Sequence, residues 1–83
     1  MKHARSDYNR IQDPANKIPA DEPVFLIRAQ DKVGSATVRM WAELNDLMGG
    51  DPAMSNSARV HAAHMENWTK KKLADMEPLD KAL

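Results

Sequence analysis

Two histidines three residues apart, His61 and His64 in the stretch HAAHME, are a pair in this 83-residue chain whose types and spacing suit metal-ligand chemistry. Positions i and i+3 of a helix are neighbours on its surface. Both imidazoles could therefore reach one metal ion, with Glu66 close in sequence and His3 or a carboxylate completing the shell. The zincin and metzincin spacings are absent. His61 also falls within an apolar stripe, where its expected role is a hydrogen-bonded core residue, with Glu43 as the expected partner. A buried pair of that kind sets helix register, as lone polar groups do in coiled coils. A pH-sensitive contact is a third reading. No metal or cofactor is therefore expected.

The second chemical candidate is cationic. Arg28, Lys32 and Arg39 form a ridge on one helical face, and Lys70, Lys71 and Lys72 make a run further on. A solvated face explains both, and basic residues near a helix C-terminus also complement its dipole. The functional alternative is a nucleotide-like anion held by Arg28 and Arg39 with Arg5 or Arg10, while Tyr8 and Trp41 stack on a base. Nucleophilic catalysis has no support. The chain has no cysteine, no Gly-x-Ser-x-Gly turn and no glycine-rich phosphate loop. The expectation is that the protein is not an enzyme.

The elements that must position these groups follow from periodicity. Placed at 100° per residue, Leu26, Ala29, Val33, Ala36, Met40, Leu44 and Leu47 form one stripe, with Arg28, Lys32 and Arg39 opposite. A strand explains only the run Val24-Phe25-Leu26-Ile27. The reading is therefore a helix over about 22–48, with Asp21 as N-cap and Pro23 in its first turn. A kink at Gly34-Ser35, or a new N-cap at Ser35, is the alternative. Gly49 or Gly50 suits the left-handed position after a helix, and Asp51-Pro52 reads as N-cap and first helical residue. Met54, Ala58, His61, Met65, Trp68 and Lys72 then define a second helix over about 52–76.

A turn over 49–51 joins these helices into an antiparallel hairpin, pairing Leu47 with Met54, Met40 with His61, Ala36 with Met65 and Val33 with Trp68. Residues 1–20 read as an extended N-terminal arm and 77–83 as a tail. The fold class is all-α. Val24, Ile27, Val38 and Ala42 are left as a second apolar patch on the first helix, with Phe25 and Trp41 at the edges of the main stripe. Either the arm, through Tyr8, Ile11 and Ile18, or another subunit must cover it, which predicts a homo-oligomer.

Charge and composition narrow the partners. Twelve basic residues balance twelve acidic ones, so the overall basic footprint of a DNA-binding protein is missing and nucleic acid is not an expected partner. No window approaches the length of a membrane span and the N-terminus lacks a secretory pattern. A soluble chain with no membrane partner is expected. Aromatics are only 5% of residues, so the core must be built from aliphatic side chains.

The segment DPANKIPADEPVFLIRAQDKVGSATVRMWAEL, residues 13–44, resembles a group of small tailed-phage and prophage proteins carrying an IPxDEPVFLxRAQD element. No activity is assigned to that group, so the resemblance implies context only: a small accessory protein acting in the cytoplasm of a bacterial host. Such a protein is expected to work by binding, most directly to a host protein. Sequestering a nucleotide-like anion and a structural role in the virion are the alternatives. The candidate contact residues are Val24, Ile27, Arg28, Lys32, Arg39, Trp41, Tyr8 and Arg10.

Overall fold

The computed structural model describes residues 1–10 and 13–76. The expectations for Ile11 and for the tail 77–83 lie outside those residues. The described residues divide into two units: those of Met1–Leu26 with Asp75 and Met76, and Ile27–Ala74.

The first unit is held by a two-stranded parallel sheet. Strand β1, Lys2–His3, pairs with β2, Pro23–Val24, in the register Lys2 to Pro23 and His3 to Val24. The Lys2 amide donates to the Glu22 carbonyl at 2.7 Å. A short 3-10 helix, Ser6–Tyr8, follows β1. The chain is thus not all-α, and where a helix start near residue 22 is expected the structure has strand Pro23–Val24. The reason is non-local. Proline restricts the residue before it to extended conformations, and β1 offers Glu22 and Val24 a ladder that a helical turn cannot.

In the second unit, α1 spans Gly34–Leu47 and α2 spans Pro52–Glu66. The first helix therefore begins afresh at Gly34 with Val33 as N-cap, two residues before the start that an N-cap at Ser35 would give. Asp31 organises that start: its carboxylate accepts from the Val33 amide at 3.0 Å and its carbonyl from Gly34 at 2.9 Å. Gly34 is required there, because a Cβ would lie 2.6 Å from the Arg28 carbonyl oxygen.

The turn between the helices is as expected. The Gly49 amide bonds to Asp46 and the Gly50 amide to Asn45, the paired reverse bonds of a Schellman cap, with Gly49 left-handed at φ 78°. Asp51 caps α2 by accepting from the Ala53 amide at 2.9 Å, and Pro52 is its first residue.

The second helix ends at Glu66 rather than near 76. Lys71 folds back so that its ammonium donates to the Met65 carbonyl at 2.7 Å and to the Ala29 carbonyl at 2.6 Å. Lys72 then pairs in parallel with Asp31: its amide donates to Gln30, and its carbonyl accepts from Lys32. These bonds replace the further helical turns that the apolar pattern implied.

The helices pack as a hairpin on a seam that matches the expected one only in part: Ala58 and Met65 of α2 are buried as expected, while the α1 stripe is not. Ala42 of α1 and Ser55, Ala58, Ala62 and Met65 of α2 are buried, while Val33, Met40, Leu44, Leu47, Met54 and Trp68 are exposed. Polar contacts fix this rotation. Asn45 donates to the buried Ser55 hydroxyl at 2.9 Å; Arg39 holds Glu66 and Arg59 holds Asp46 along one edge. From the Arg39–Glu66 pair to the Asp46–Arg59 pair the numbers rise on α1 and fall on α2, so the helices run antiparallel. Ala42, expected on an outlying patch, is central to the packing.

Candidate functional site

The edge of the hairpin opposite those ion pairs is apolar and carries an open groove of about 480 Å³. Val38 and Trp41 of α1 form one wall. Met54, Ser57, Ala58, Val60, His61 and His64 of α2 form the other. The α2 residues 54, 57, 58, 61 and 64 share a face through the helical repeat, and the turn geometry brings that face beside Val38 and Trp41. The only side-chain polar atoms in this lining are the Ser57 hydroxyl, the indole N–H and the two imidazoles.

Three residues singled out by type, Trp41, His61 and His64, are therefore brought together. The imidazoles lie with ring centroids 6.3 Å apart and planes tilted by 58°. His61 is exposed, and so is Glu43, so the expected buried Glu43–His61 pair does not form. The cause is the rotated seam, which buries Ala62 beside Ala58 and leaves His61 outside. Among the described residues no three metal-ligating side chains cluster, and none of the described helices is long and apolar enough to cross a membrane.

The cationic candidates are dispersed. Arg39 makes two hydrogen bonds to Glu66, at 2.9 and 2.8 Å. This contact raises the arginine above its ordinary value and, through the same bonds, holds the Glu66 carboxyl below its ordinary range. Asp46 is held low by a hydrogen bond from Ser55 and by Arg59. Arg28 is exposed, its carbonyl accepting from Asp31; Lys32 lies exposed in the turn before α1. Ile27 is half-buried, with Cγ2 3.2 Å from where a Gly34 Cβ would lie.

In the first unit Val24 is half-buried in β2. Tyr8 packs edge-on to His3, with Arg5 over its ring at 5.1 Å. Arg5 also holds Asp7 at 2.8 Å and Asp75 at 3.1 Å. Arg10 is exposed just beyond. Sequence patterning missed two features. The groove role of Val38, Ser57 and Val60 depends on helix rotation, which no single residue signals. Lys71 sits in a charge run that a solvated face already explains.

No family model, curated protein or solved structure matches this chain.

Proposed function

We propose that this is a non-enzymatic accessory protein of phage type that acts by binding a host protein in the bacterial cytoplasm. The partner places an apolar segment in the groove between α1 and α2. The observation that carries the reading is the composition of that groove: no Lys, Arg, Asp or Glu lines it, while Trp41 and Met54 stand exposed at its walls. Exposed Trp and Met of this kind are enriched at protein interfaces, and Met adapts to irregular partners. An open groove suits side chains from a larger surface better than an enclosed small molecule. The phage-type context comes from the resemblance of residues 13–44 and supplies the host protein as partner class.

Sequestration of a nucleotide-like anion draws less support, because no Lys or Arg lines the groove that Trp41 faces. The test is affinity capture from host lysate with the intact chain and with Trp41→Ala and Met54→Lys, followed by titration of the captured protein. Each substitution should weaken binding at least tenfold while the helical circular-dichroism signal stays. Capture unaffected by both substitutions would overturn the groove assignment. Nucleotide-dependent thermal stabilisation would favour the anion reading, and recovery of the protein in purified particles the virion reading.

A further inference from the structure

Helix α1 carries a second apolar face that the hairpin leaves unused. Val33, at its N-cap, then Ala36, Met40, Leu44 and Leu47 are all exposed. Gly34 and Ala42, on the other side of the helix, are buried. At about 100° per residue the five exposed residues fall within roughly 80° of arc. Their intervals are three, four, four and three, a series that reads the same from either end. A two-fold axis through Met40, perpendicular to α1, therefore lays the stripe on itself with the chain direction reversed. Val33 then meets Leu47, Ala36 meets Leu44, and Met40 meets its own copy, so that small side chains face large ones.

The charges along one border obey the same symmetry. Lys32, in the turn before the helix, and Arg39 are cationic; Glu43 and Asp46 follow and are anionic. Antiparallel pairing in this register brings Arg39 within a turn of Glu43 on the copy, and Lys32 within a turn of Asp46. Arg39 and Asp46 already hold Glu66 and Arg59, but Glu66 uses only two of the three guanidinium nitrogens.

We propose that α1 is the seam of a symmetric antiparallel homodimer, with Met40 on the two-fold axis. This surface is centred away from the groove, so either assignment can fail without the other. A helix of about 21 Å is short for an interface of the usual ~800 Å² per partner, so dissociation in the micromolar range is expected.

Two measurements on the full chain test this. Sedimentation from about 5 to 500 μM should show a monomer–dimer equilibrium, weakened at least tenfold by Glu43→Arg and abolished by Met40→Glu. Because the chain has no native cysteine, single cysteines then report register. Met40→Cys should form a disulfide-linked dimer under mild oxidation. Ala36→Cys alone should not, yet a mixture of Ala36→Cys and Leu44→Cys chains should. A monomer at about 500 μM would overturn the proposal, and so would Ala36→Cys crosslinking as readily as Met40→Cys, which signals a parallel or unspecific contact.

Discussion

At the scale of single residues, the two adjacent glycines of the interhelical turn are there for different reasons. Gly49 has a left-handed backbone and nothing within 4 Å of where a Cβ would stand. Gly49→Ala should therefore cost only the left-handed penalty, about 1–2 kcal/mol. Gly50 lies against the Asn45 side chain, which a Cβ would meet at 2.0 Å. Asn45 is not free to give way, since it donates to the buried Ser55 and to the Asp51 carbonyl. Gly50→Ala should cost more than Gly49→Ala, because it also breaks the contact that orients α2; urea unfolding of both variants checks the order. Lys71 makes a second residue-scale case. Its half-buried ammonium satisfies carbonyls from the end of α2 and from Ala29. Lys71→Met leaves those acceptors without the charged donor and should destabilise the hairpin by about 1.5–3 kcal/mol. Lys70→Met, at an exposed neighbour, should change stability by less than about 0.5 kcal/mol.

At the scale of elements, the ion pairs on one edge of the hairpin make its stability pH-dependent. Glu66 and Asp46 are both held below their ordinary 4.5 and 3.8 in the folded state. A depressed carboxylate stabilises the fold above its unfolded pKa, and that contribution disappears as pH falls through the folded value. The melting temperature should thus fall on acidification below about pH 4. Glu66→Gln should lower it at neutral pH and shrink the difference between pH 6 and pH 3; an unchanged difference would mean that other carboxylates control acid unfolding. These pairs also explain what patterning could and could not reveal. The Gly49-Gly50-Asp51-Pro52 signals are local, so the turn and the α2 start were legible in the sequence. The start of α1 was not, because Pro23-Val24 is claimed by β1, some twenty residues earlier. The α2 end was obscured by Trp68 and Lys72, which continue the helical spacing while Lys71 turns the backbone elsewhere. The seam was misread because α1 is apolar on two faces. The larger side chains, Met40, Leu44 and Leu47, looked like the core, whereas hydrogen bonding of Asn45 to Ser55 selects the small-residue face. Trp41, His61 and His64 were recognisable one by one, but their shared groove depends on that rotation.

At the scale of the whole molecule, the distribution of apolar side chains is inverted relative to an ordinary small domain. Among the described residues the buried apolar groups are Ala42, Ala58, Ala62 and Met65, while Leu47 is 81% and Met48 86% exposed. Three alanines and one methionine supply little burial, since each buried methylene-sized group contributes only about 0.8 kcal/mol. Chains of this size have little surplus to begin with. An isolated chain should therefore be weakly stable, and much of its apolar surface should gain cover only through association. Binding that requires the folded state raises apparent stability with concentration. For a dimer that unfolds to two free chains, a hundredfold rise in concentration is worth about 2.7 kcal/mol per dimer, or half of that per chain. With roughly 4–8 °C per kcal/mol for a domain of this length, the melting temperature should climb by about 5–10 °C between 5 and 500 μM. Met40→Glu should flatten that dependence while leaving the low-concentration melting temperature nearly unchanged, because Met40 is already exposed in the single chain. A melting temperature independent of concentration would mean that the hairpin is stable by itself, and that its outer apolar face is kept for a partner other than its own copy.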